Sequence, residues 1–239
     1  MNKIRLSSTA LRLMALLFML LDHLWATVVP GNFWMTCVGR LAFPIFAFQA
    51  VEGYCHTSDY RRYCRRLLIF GLISEVPFNL MLTGSWIFPF HQNVMFTLLL
   101  GLMAIRQIDK RSAATSRKEK LVCSITFFLI ILVSVVTFPD YGALGVLNIV
   151  AFYIIRGNSM EKVLQLFVMV AIHWFGFEGM MIPVFNSALE IPQQAFAILA
   201  LIPIWLYNGE KGNGGKVLQF GSYLFYPLHM LALWLMQYL

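Results

Sequence analysis

The chain has 239 residues, 59% of them hydrophobic and only 12% charged, with a formal net charge of +7. A soluble domain carries about 25% charged residues, so there is too little polar material here to coat a soluble globule. A basic balance suits a nucleic-acid partner, but the positions of the cations along the chain account for it without one.

Spans of roughly 20 apolar residues cross the hydrocarbon core of a bilayer. The apolar runs predict an all-α polytopic membrane bundle of about nine transmembrane helices, near 10–28, 34–54, 66–83, 92–106, 121–138, 142–156, 163–177, 192–207 and 217–237. The first run has the basic start of a signal peptide, but Asp22 and His23 interrupt it and no small-x-small cleavage site follows, so it reads as a retained span. The second contains Arg40, and the third contains Glu75 just before Pro77, which removes a backbone donor and kinks a helix. Asn93 opens the fourth. Gly142, Gly145, Gly176 and Gly179 weaken the ends of the sixth and seventh, and the last carries His229 in "FYPLHMLALWL".

Short cytoplasmic loops collect Lys and Arg. With the N-terminus cytoplasmic, Lys3, Arg5 and Arg12, the group Arg61, Arg62, Arg65 and Arg66, the stretch from Arg106 to Lys120, Arg156 with Lys162, and Lys211 with Lys216 all fall on one side. Of 18 Lys and Arg residues only Arg40 lies elsewhere, while the opposite loops contain Asp140, Glu178 and Glu190 and no cation. Topology therefore explains the charge. No repeat, low-complexity tract or soluble segment is visible, so residues 1–239 read as one integral membrane domain. Cys37, Cys55, Cys64 and Cys123 have no metal-type spacing and read as unpaired apolar fillers.

A charged side chain at the centre of a lipid-facing helix costs about 2.5–3.5 kcal/mol on insertion scales, so intramembrane ionisable residues mark sites or pairs. At about 1.5 Å of rise per residue, Asp22 and His229 lie roughly 18 Å, and Arg40 about 21 Å, from the basic side. With His23 they converge on one level in the outer half. Adjacent helical residues point about 100° apart, so Asp22 cannot orient His23; it meets Arg40 and leaves His23 facing a cavity, where a neutral imidazole suits proton abstraction from an amine or hydroxyl. Glu52 and His56, four residues apart on one face near the cytoplasmic mouth, Glu75 and Asn93 extend a polar path towards that level. Each feature also has a structural reading. Asp22 with Arg40 can be an ion pair joining two helices, and His23 a hydrogen-bonded core histidine. Glu52 with His56 can be an interfacial helix end, Glu75 can satisfy groups freed at Pro77, and the arginine quartet can simply anchor the positive-inside face.

The blocks "LLDHLW", "GRLAFPIFAFQAVEGYCHT", "RRYCRRLLIFGLISEVPFNL", "NVMFTLLLGL", "DYGALGVL" and "FYPLHM" resemble, in order, those of the TraX family, membrane proteins named for the conjugation factor that acetylates the N-terminus of the F-type pilin subunit. The likeness is weaker from about 151 to 215. The family is similar to wider transmembrane acyltransferases of the heparan-glucosaminide acetyltransferase and acyltransferase-3 type, which pass an acetyl group from cytoplasmic acetyl-CoA to an acceptor on the far side. This resemblance implies His23 as the catalytic residue and a bacterial inner membrane as its place. The residues themselves suggest Asp22 and Arg40 as the pair that holds its geometry, with His23 a general base acting directly on the acceptor or through an acetyl-histidine intermediate. The resemblance further implies acetyl-CoA as co-substrate; the arginine forks of Arg61, Arg62, Arg65 or Arg66 suit its phosphates, and His229 and Asn93 are expected at the thioester carbonyl or the acceptor. The acceptor is a pilin-type subunit or, as an alternative, a surface glycan. A proton-coupled carrier or a non-enzymatic assembly factor are the rivals from other classes.

Overall fold

A computed structural model describes residues 5–177, 179–184 and 189–237; Lys3 and Glu178 lie outside the described residues. Among the described residues the regular structure is helical apart from one hairpin, and four helical stretches are long and apolar enough to cross a membrane: Ser8–Thr27, Phe33–His56, Tyr60–Thr83 and Arg117–Val136. It divides into two units, one made of 1–49 with 157–239 and the other of 50–156.

In the first unit, α1 (Ser8–Thr27) begins where the Ser7 hydroxyl accepts the Ala10 amide, a cap that fixes the helix start. Its residues Leu11, Ala15 and Met19 recur every fourth position and form its buried stripe. It packs on α2 (Phe33–Gly39) and on α10 (Gly215–Met236). Residue 39 lies where these backbones come close, because a Cβ placed there meets both the side chain and the Cα of Asp22. Glycine is what lets α2 approach α1 at the level of the carboxylate.

The second predicted span is not one continuous helix. It breaks at Arg40 and Leu41 between α2 and α3 (Ala42–His56). Pro44, in the first turn of α3, has no N–H to offer the Arg40 carbonyl four residues back, so the helical ladder is interrupted there, and α2 ends with the Arg40 amide donating to the Thr36 and Val38 carbonyls. A second difference lies after α8 (Glu161–Phe175). A loop was expected there, but Met181–Val184 pairs antiparallel with Leu189–Pro192, in the register Met181 to Pro192. Pro183, Pro192 and the β-branched Ile182 and Ile191 disfavour helix at these positions. The hairpin leads into a 3-10 segment, Gln193–Ala200, that packs on α8 and α2 and continues as α9 (Leu201–Trp205).

In the second unit α4 (Tyr60–Thr83), α5 (Val94–Ala113), α6 (Arg117–Val136) and α7 (Gly142–Ile155) pack in sequence, with α5 touching all three others. Leu98, Leu102 and Ile105 of α5 meet a core that includes Val146, Ile149 and Phe152. Gly101 makes the α5–α7 approach possible, since a Cβ there lies about 3.0 Å from the Cβ of Ile149. The outward face of α6 is apolar, with Phe128 69% exposed and Val136 61% exposed. Lipid is the solvent that suits such a face.

Candidate functional site

The consecutive residues Asp22 and His23 leave α1 in different directions. Asp22 turns to α2, where the Thr36 hydroxyl donates to its Oδ1 at 2.6 Å and Arg40 pairs with its Oδ2. Thr36 and Arg40 share a helical face, and their contact extends through the 3-10 segment: Gln193 donates its amide to the Thr36 hydroxyl, and Gln194 accepts from Arg40 at 3.4 Å. Gln194 in turn lies 3.0 Å from Nδ1 of His173, a fully buried residue of α8 stacked on Phe177. The carboxylate is thus held by a hydroxyl and a guanidinium that are themselves fixed from two further elements.

His23 turns to α10. Its Nδ1 lies 2.7 Å from Nε2 of His229, with the two rings parallel within 2°. His229 is buried, stacks on Phe225, and has its Nδ1 2.8 Å from the Phe225 carbonyl. A carbonyl only accepts, so Nδ1 of His229 carries a proton. In a neutral ring its Nε2 then accepts, and Nδ1 of His23 must donate. The consequence falls on the other nitrogen of His23. Its Nε2 bears a lone pair and has no hydrogen-bond partner among the described residues, on a ring only partly covered by protein. Thr27 closes the same turn by donating to the His23 carbonyl at 2.6 Å.

The remaining residues singled out in the sequence belong to the second unit. Asn93 is fully buried and caps α5 by accepting the Met95 amide, while its NH₂ donates to the Gly71 carbonyl at 2.8 Å and to Glu75 at 2.5 Å. Its amide donors and its carbonyl oxygen are thus each engaged within the protein. Glu75 accepts from Asn93 through Oε2, and its Oε1 is buried with no partner among the described residues. Glu52 accepts from Arg156 at 2.7 Å, and His56 bonds the Glu52 carbonyl at 2.8 Å with the carboxylate further away at 3.9 Å. Of the arginine quartet, Arg61, Arg62 and Arg65 are exposed, whereas Arg66 is half-buried with its guanidinium over the Tyr63 ring. His229, expected near the substrate, has both nitrogens engaged and acts on the ring of His23.

Sequence reasoning passed over Thr36, Gln193, Gln194 and His173. Thr36 shows the four-residue spacing from Arg40 that places it on the same face, and His173 is an imidazole inside an apolar run, the same signal as His23. The two glutamines gave no local signal, because the hairpin that delivers them was not foreseen. Outside the membrane-spanning stretches, His91 lies 3.5 Å from Asp140, whose hydrogen bond holds the imidazole pKa above its ordinary value.

The fold and this network define a helical protein with helices able to cross a membrane and an ion pair and a histidine pair set among them. The chain belongs to the TraX family: the family model described as TraX protein matches residues 7–237. It is also similar to a probable fimbrial assembly protein FimC, serogroup H1, of Dichelobacter nodosus, 27% identical over 253 aligned positions that cover 97% of this chain and 96% of that protein. An uncharacterised protein of Rickettsia prowazekii (strain Madrid E) is 24% identical over 160 positions, covering 67% of this chain and 60% of its own length. No solved structure matches.

Proposed function

We propose that this chain is a multi-pass acetyltransferase of a bacterial inner membrane, its N-terminus in the cytoplasm, that moves an acetyl group from acetyl-CoA to the N-terminal amine of a pilin-type subunit. The TraX family assignment, together with the fimbrial assembly role in the printed name of the Dichelobacter relative, supports a pilin-type acceptor. The observation that carries the catalytic reading is the tautomer of His23, fixed by His229 and the Phe225 carbonyl so that Nε2 presents a lone pair.

In this reading the acceptor nitrogen bonds to the thioester carbon while His23 Nε2 takes the amine proton. The carbon–sulfur bond then breaks, and the coenzyme thiolate recovers that proton from the imidazolium. The Nδ1–H bond to His229 persists in both protonation states, so His229 is a positioning residue that steadies the imidazolium. Asp22 and Arg40 fix α1 against α2 and thereby the bearing of His23. Arg61, Arg62, Arg65 and Arg66 supply guanidinium forks that suit the coenzyme phosphates.

The test is mass spectrometry of pilin from cells carrying the wild-type gene, no gene, or His23→Ala. The acetyl group is expected on the N-terminus with the first alone. Acetylation at the wild-type level by purified, folded His23→Ala overturns the assignment.

A further inference from the structure

A cavity of about 420 Å³ opens in the second unit between the start of α4 and the end of α5. Three cations line it: Arg61 from α4, and Arg106 and Lys110 one turn apart on α5. One carboxylate, Asp59, also lines it, but its Oδ1 is turned to the Arg62 amide at 2.8 Å as the helix cap. Asp109, next to Arg106 on the helix face, has its oxygens engaged by the hydroxyls of Tyr54 and Tyr153.

Lys110 by itself suits the C-terminal turn of α5, where a cation complements the helix dipole. That does not explain why Arg61, from another helix, and the half-buried Arg106, laid over the Tyr60 ring at 5.5 Å, border the same hollow. Three cations outnumber the two carboxylates near this cavity, Asp59 and Asp109, and the excess positive charge facing it is offset by a bound anion. The start of α4 adds to the attraction. Asp59 satisfies the amides of Arg62 and Tyr63, whereas those of Tyr60 and Arg61 have no acceptor among the described residues, and free amides at a helix start favour an anion. The volume lies within the range of about 300–1,000 Å³ typical of small-molecule sites, larger than a single inorganic ion requires.

From this we infer that the cavity bordered by Arg61, Arg106 and Lys110 is a binding site for a phosphate-bearing ligand of diphosphate or nucleotide size. Two arginine forks and an ammonium match the several oxygens of a diphosphate better than one carboxylate. On the acetyltransferase reading, and resting on it for the ligand's identity alone, the occupant is the diphosphate end of acetyl-CoA. This assigns phosphate recognition to two residues of α5 together with one of the four α4 arginines. The other source of the same chemistry is the headgroup of an anionic lipid.

The experiment uses the full-length protein in detergent with Arg61→Ala/Lys110→Ala, and Lys118→Ala/Lys120→Ala as a charge-matched control on α6. Pyrophosphate and acetyl-CoA binding are read by calorimetry, and binding to phosphatidylcholine vesicles with and without phosphatidylglycerol by flotation. Loss of two charge-assisted contacts is expected to weaken the wild-type ligand at least about tenfold, with the control within about twofold. Weakened pyrophosphate and acetyl-CoA binding identifies the coenzyme. A loss confined to pyrophosphate and phosphatidylglycerol, with acetyl-CoA not bound even by wild type, identifies the lipid and sinks the acetyltransferase reading while the site stands. Binding of all three probes unchanged in the first variant, or weakened equally in the control, overturns the site and leaves the acetyltransferase reading untouched.

Discussion

The polar groups around Asn93 and Asp109 in the second unit and around Asp22 and His23 in the first are closed off to different degrees. In the second, Asn93 is engaged at every side-chain bonding group and Asp109 takes a tyrosine hydroxyl on each oxygen, so these residues join helices. In the first, a similar density of bonds around Asp22, Arg40 and His229 ends on an imidazole nitrogen without a partner among the described residues. Among the described residues, saturation marks Asn93 and Asp109 as holding the fold, whereas Glu75 Oε1 and His23 Nε2 stay open, and on the acetyltransferase reading it is His23 that moves the proton. Polarity alone, the signal available in the sequence, marks both kinds alike.

That contrast can be broken most directly at His23. Replacement by alanine is expected to lower acetyl transfer by about 10²–10⁴-fold, the usual contribution of a positioned general base, with the thermal midpoint little changed. A loss of folding with no specific loss of rate would return His23 to the structural residues. A smaller effect is expected at His229. Alanine there removes the acceptor for Nδ1–H and should reduce kcat about tenfold with KM nearly constant, while His229→Gln, which places an oxygen near the position of Nε2, should recover part of the rate. Equal rates for the two variants would dissociate His229 from the tautomer.

The structural side of the comparison is read as stability. Gly39→Ala forces a methyl against Asp22 and is expected to destabilise by about 1–3 kcal/mol, seen as a lower thermal midpoint of the solubilised protein. Asn93→Ala removes the α5 cap and the donors to Gly71 and Glu75, for about 1–3 kcal/mol by the same measurement. The smallest effect concerns His91. Its pKa is raised in the fold by the hydrogen bond to Asp140, so its contribution is complete below the ordinary value of 6.5 and is lost as the pH rises through the higher folded value. The midpoint difference between wild type and His91→Gln should therefore shrink as the solution is made alkaline; a difference that grows with pH would contradict the pairing.

Much of the helical layout was legible because burial in lipid or core demands long apolar runs whatever the partners are. The bounds of α1 and α7 and the end of α4 follow the hydropathy pattern, while α4 starts six residues earlier than expected, at Tyr60; the pairing of Asp22 with Arg40 followed from the 100° offset between neighbouring residues. The break at Arg40 was less visible, since Pro44 removes only one donor and the apolar run continues across it. The hairpin was hidden for a related reason: four-residue strands are too short for a period to register against their flanks.

By itself, then, the sequence determined a membrane-compatible helical chain, the segregation of its cations, and a short set of ionisable residues in apolar surroundings, because these depend on local composition. Only the tertiary structure decided that His229 meets His23 across 206 positions of chain, that Gln193 and Gln194 close around Thr36 and Arg40, and that Arg61 shares a cavity with Arg106 and Lys110. The physical reason is that a hydrogen bond is decided by distances of a few tenths of an ångström between elements far apart in the chain. Hydropathy fixes which segments are buried and leaves their rotation and depth to packing.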